Sequence, residues 1–152
     1  MQGCKGARVQ GCKGARVLGV IVALRHRIMA KDFTELAAWQ LADQLRLLIL
    51  EITSNPNVAR DFKYCNQCKD AARSAASNIA EGFGRYRHRD FARFLRISMG
   101  SLKEVADLLI DGHHRCYIND TQLAQGMRLV TRSKSACAKL AQYLDATPDA
   151  KD

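Results

Sequence analysis

A chain of 152 residues and 16.9 kDa fits one compact domain and leaves little room for a second. With 47% hydrophobic and 26% charged residues it is too apolar to be disordered throughout, yet its longest apolar run, residues 17–24 with Gly19 counted, is far short of the ~20 residues that span a bilayer. The 24 Lys and Arg against 15 Asp and Glu give +9, unevenly spread: residues 1–31 hold seven basic residues and no acid, Arg85–Arg96 holds five arginines against Asp90, and the remainder is slightly acidic. Two basic segments on a near-neutral body suit polyanions or acidic partners.

The octapeptide QGCKGARV at residues 2–9 recurs unchanged at 10–17. Two such short copies are no solenoid and fit a duplicated stretch of DNA better. The basic start and the following apolar VLGVIVAL have the outline of a signal peptide, but Arg25-His26-Arg27 stands where a small-residue cleavage site belongs. Residues 1–28 are therefore expected to be a basic tail, disordered or translated upstream of a start at Met29. The fold is expected over 29–147, with 148–152 as a C-terminal tail.

From Asp32 the pattern is helical. Asp32 with Glu35 three residues on resembles a capping box, and Leu36, Ala37, Leu41, Leu45, Leu48, Ile49 and Ile52 continue at helical spacing, predicting a first helix over 33–53. Asn55-Pro56-Asn57 stops it, and a short connection runs through Phe62. Alanines at 71, 72, 75, 76 and 80 predict a second helix over 64–82 that a neighbour can approach closely, with Gly82 and Gly84 ending it in left-handed conformations. Phe91, Leu95, Ser98, Leu102, Val105 and Leu109 form the stripe of a third helix, broadened by Phe94, Met99, Ala106 and Ile110. Asn119-Asp120-Thr121 caps a fourth, in which Leu123, Met127, Val130, Cys137, Leu140 and Leu144 keep the period up to Pro148. No strand pattern is present, and the class expected is all-α: an antiparallel, up-down-up-down four-helix bundle.

These helices carry a family resemblance. DFTELAAWQLA, then QCKDAARSAASNIAEGFGR, then FARFLRISMGSLKEV resemble the four-helix-bundle proteins encoded within 23S rRNA intervening sequences, over roughly residues 30–145. NIAEG, followed about a dozen residues later by a phenylalanine-rich helix containing GSLKE, carries most of it. The resemblance implies a homo-oligomer, a pentamer. It also implies a likeness of fold to the basic accessory variability protein of diversity-generating retroelements, which partners a reverse transcriptase.

Arg85, Arg87, Arg89, Arg93 and Arg96, with His88 among them, gather at the turn into the third helix, and 89, 93 and 96 share one face. Guanidinium groups suit phosphates, and a ring of copies would multiply the field without reading bases. Against this, the arginines can pair with acids of a neighbouring helix or subunit, or simply solvate the surface. Tyr86 is the one nearby candidate for stacking on a base, so little sequence specificity is expected.

Cys65 and Cys68 form a CxxC that His113, His114 and Cys116 can complete as a metal site, although plain packing accounts for both thiols and no cofactor is expected. Glu81 and Glu104 lie near Asn78, Ser98 and Ser101 and invite an acid/base dyad. Structural pairing explains them better, Glu81 with Arg85 and Glu104 with Lys103, Arg96 or a neighbouring subunit. No serine-histidine-acid set, phosphate loop or HExxH occurs, so no enzyme is expected. Gly100-Ser101 interrupts the third helix, where a close crossing within the bundle or between subunits offsets the ~1 kcal/mol cost of glycine. Trp39 covers either a subunit boundary or the core. The reading is a cytoplasmic, non-catalytic bundle that contacts RNA or DNA. The other reading is a protein scaffold, for example for a reverse transcriptase, without nucleic-acid contact.

Overall fold

Ala38, Ala42, Leu45, Leu48, Ile49 and Ile52 fall on one side of a helix, and helix α1 (Ala37–Thr53) buries all six. The structure, a computed structural model, describes residues 30–147 other than Tyr86. The expectations for tails at 1–28 and 148–152 and for Tyr86 lie outside the described residues. After α1 come α2 (Pro56–Ala59), α3 (Phe62–Phe83), α4 (His88–His114) and α5 (Asp120–Ala146), and no strand occurs among the described residues. The chain is all-α, with four long helices packed together.

Three element boundaries differ from expectation, each for a local reason. Asp32 does not start α1. Its carboxylate accepts from the Thr34 amide at 2.9 Å and caps a separate 3-10 turn, Phe33–Glu35, after which Leu36 is extended (φ −72°, ψ 123°) and α1 begins at Ala37. The connection after α1 is itself partly helical, because Asn55 caps α2 with Pro56 in the first turn, where the missing amide hydrogen costs nothing. Phe62 is the first residue of α3, capped by Asp61 through the Tyr64 amide at 3.0 Å.

Gly82 corrects the sequence reading most clearly. It lies inside α3, buried, and neither it nor the capping Gly84 (φ −75°) is left-handed. A Cβ at Gly82 would meet the Phe91 ring at 2.6 Å and the Phe94 Cβ at 2.7 Å, so the glycine is there for a close approach of α3 to α4. Gly112 and Gly126 serve the same purpose, against Tyr64 and Leu109 respectively. Gly100 does not: an added Cβ there finds nothing within 4 Å, which overturns a close crossing within the bundle.

Contacts between α3 and α4 fix their relative direction. The Tyr64 hydroxyl donates to the Leu108 carbonyl at 3.0 Å, the Ser74 and Ser101 hydroxyls are 2.9 Å apart, and Gly82 meets Phe91, so positions rise in one helix as they fall in the other. Helices α4 and α5 are likewise antiparallel, with Leu109 against Gly126 and Arg96 paired with Asp145. Helix α1 packs beside both α3 and α5. The core between them is Leu45, Ile49, Ile79, Leu95, Leu102, Val105 and Leu109, all fully buried, and each large aliphatic side chain there contributes about 1.5–3 kcal/mol. On the stripe of α4 the six expected positions from Phe91 to Leu109 are all buried. Ser98 is accommodated because its hydroxyl donates to the Ala75 carbonyl at 2.7 Å, a reach that the small alanine face of α3 permits.

Candidate polyanion interface

The candidate arginine cluster lies where α3 stops and α4 starts. Gly84 closes α3, Arg87 sits at the N-cap of α4 without a side-chain cap, and Asp90 occupies the first turn, where a negative charge complements the helix dipole. Phe91 and Leu95 turn inward and anchor the helix, which leaves Arg89, Arg93 and Arg96 on its exposed side.

The five arginines divide into two groups. Arg85 pairs with Glu81 one turn back on α3, as expected from sequence, and lies over the Phe94 ring with its guanidinium carbon 4.8 Å from the centroid. Arg96 pairs with Asp145 on α5, a partner that no spacing in the sequence singles out. Both pairs are exposed, so each is worth about 0–1 kcal/mol. Arg87, Arg89 and Arg93 are exposed and have no ion-pair partner among the described residues. These three are the arginines left to meet an outside anion.

The other residues singled out from sequence hold the helices in place. Asn78 donates to the Ser74 carbonyl at 2.7 Å and to its hydroxyl at 3.1 Å, and Ser74 in turn meets Ser101, which makes a polar seam between α3 and α4. Glu104 is exposed and pairs with neither Lys103 nor Arg96, two of the three partners weighed for it. Glu81 and Glu104 are not brought together as a dyad: Glu81 is taken by Arg85, and both carboxylates face solvent. Trp39 is half-buried, edge-on to Phe33 with ring centroids 5.3 Å apart.

Cys65 and Cys68 are buried. Burial raises both thiols above their ordinary range, Cys68 to about 11, and the Cys65 thiol donates to the Val58 carbonyl at 3.3 Å. Protonated, occupied thiols are poor metal ligands and poor nucleophiles. His113 is engaged by Asp120 at 2.8 Å, and no group of three metal-ligating side chains occurs among the described residues.

A second basic surface went unnoticed in the sequence. Helix α5 carries Arg128, Arg132, Lys134 and Lys139 and no acid between Asp120 and Asp145, and Arg128 and Arg132 border a groove of about 430 Å³ between α1 and α5. Leu47, Leu48 and Leu129 line its apolar part, with Gln44, Glu51 and Gln125 at the edges. A charge count taken helix by helix would have found it.

An all-helical protein with a basic rim at one inter-helix turn is the class that fold and site define. The family model for the 23S rRNA-intervening sequence protein matches residues 34–139, and the chain belongs to that family. Among curated proteins no sequence matches it. No helix among the described residues is long and apolar enough to cross a membrane.

Proposed function

We propose that the chain is a non-catalytic, up-down-up-down bundle that assembles as a homo-oligomer, a pentamer on the family resemblance. Through Arg87, Arg89 and Arg93 it contacts RNA, or DNA, with little sequence specificity. The observation that carries this is the combination of exposure and absence of ion-pair partners at these three positions among the described residues, within two turns of one another at the α3–α4 corner. Guanidinium groups so placed bind phosphate oxygens in pairs and read no base. The antiparallel contacts of α4 with α3 and α5 support the topology. The free thiols Cys65, Cys68, Cys116 and Cys137 suit a reducing cytoplasm.

Charge reversal tests it. Arg89→Glu with Arg93→Glu should abolish binding of a generic single-stranded RNA at low salt in a filter or anisotropy assay, while the melting temperature stays within a few degrees of wild type. Undiminished binding by the folded variant contradicts the reading.

The pairing of Arg85 with Glu81 and of Arg96 with Asp145 favours a second reading, in which the corner is partly self-neutralised and serves a protein partner such as a reverse transcriptase. Absence of RNA binding by the wild-type protein at low salt leaves that scaffold role.

A further inference from the structure

Helix α4 presents two different outer surfaces. Its first three turns show the arginines. From Ile97 onward it shows Ile97, Gly100, Glu104, Asp107 and Ile110, spaced 3-4-3-3 along one side, with Ile97 42% and Ile110 40% exposed and neither acid in an ion pair among the described residues. Gly100 lies in the middle with open space where a side chain would be, a bare patch of backbone with no neighbour there among the described residues.

The groove between α1 and α5 is its opposite in charge and its match in polarity. Leu47, 55% exposed, and Leu129 give it an apolar floor, and Arg128 and Arg132 give it a basic lip with no acid pairing either one among the described residues. A polyanion gains little from a leucine floor and is opposed by Glu51 on the other lip. An acidic, partly apolar helix uses all of these features.

We infer that the occupant of the α1–α5 groove is α4 from Ile97 onward of another copy of this chain, with Glu104 and Asp107 facing Arg128 and Arg132 and Gly100 admitting close contact. The inference rests on the proposed self-assembly and assigns its two faces. Like-on-like pairing is opposed by charge, because α4 on α4 sets acids against acids and groove on groove sets arginines against arginines. The cross pairing is therefore head-to-tail, and head-to-tail contacts that close on themselves make rings. The arginine corner stays open in this arrangement, once per copy, beside each junction.

Molar mass in solution, measured by light scattering or sedimentation for four charge patterns, tests the assignment. Wild type should be oligomeric, Glu104→Arg/Asp107→Arg and Arg128→Glu/Arg132→Glu should each fall to lower mass, and the chain carrying all four changes should recover the wild-type mass. All four positions are exposed, so helicity by circular dichroism should not change. Gly100→Leu, whose Cβ meets nothing within 4 Å among the described residues, should likewise lose mass while keeping its helicity. If wild type is oligomeric but the double variants and Gly100→Leu keep its mass, the faces are wrongly assigned while self-assembly stands. If the fourfold variant fails to recover, the charge pairing is wrong. If wild type is a monomer at every concentration, the self-assembly reading fails and takes this inference with it.

Discussion

Two glycines of the same amphipathic pattern behave in opposite ways. Gly82 has a phenylalanine ring and a Cβ within 2.7 Å of where its own Cβ would be, and the Phe94 Cβ cannot swing aside as a flexible chain end would. Gly82→Ala should therefore cost about 1–3 kcal/mol of stability through overpacking, read from denaturant unfolding. In the single chain Gly100→Ala should gain up to about 1 kcal/mol from helix propensity alone. Sequence places Gly82 at the end of one helix and Gly100 inside another, but it cannot show which has a neighbour.

Thiols give a pH prediction at the same scale. Burial raises Cys68 and Cys137 from an ordinary 9.0 to about 11 in the folded protein, so folding favours their neutral form. That contribution is complete below pH 9 and is lost as pH rises from 9 toward 11, where the unfolded chain ionises first. Melting temperature should decline across this window, and the decline should shrink in Cys68→Ala/Cys137→Ala. An identical decline in the double variant contradicts it.

Among the elements, caps separate what the sequence could tell from what it could not. Asn119 accepts from the Gln122 amide at 2.9 Å while the Gln122 side chain accepts from the Asn119 amide at 3.1 Å, a reciprocal pair at the start of α5 whose cap was legible in the run Asn119-Asp120-Thr121 and whose Gln122 half was not. Asn119→Ala should cost about 1 kcal/mol. Asp32 has the same kind of signature yet caps only a three-residue turn, so Asp32→Ala should leave the unfolding midpoint nearly unchanged, with any loss confined to the turn. The two starts differ at Leu36, whose extended backbone breaks the chain between turn and helix, and an apolar residue in a periodic pattern does not reveal its ψ angle. The stripe of the third helix was legible because every one of its six positions is buried, and burial enforces the period.

At the scale of the whole molecule, net charge says less than its placement. The arginine corner was legible as a cluster because its members are close in sequence. Its division into paired and unpaired members was not, since Arg96 finds Asp145 across 49 positions of chain. The basic lip of α5 was hidden for the converse reason: the four charges of that helix lie two to five residues apart and vanish in a sum over the slightly acidic remainder, until the fold sets Arg128 and Arg132 beside Leu47. The family relation runs over residues 34–139, through all four long helices, so it fixes the architecture more closely than the partner.

The most direct test of phosphate gripping is the salt dependence of RNA affinity. For single strands the logarithm of the binding constant falls with the logarithm of salt by about 0.7 per phosphate neutralised, so Arg89→Ala/Arg93→Ala should flatten the slope by about 1.4 per bound corner, equally for RNAs of unrelated sequence. A slope that is unchanged in this variant, or a loss confined to one RNA sequence, would contradict the account.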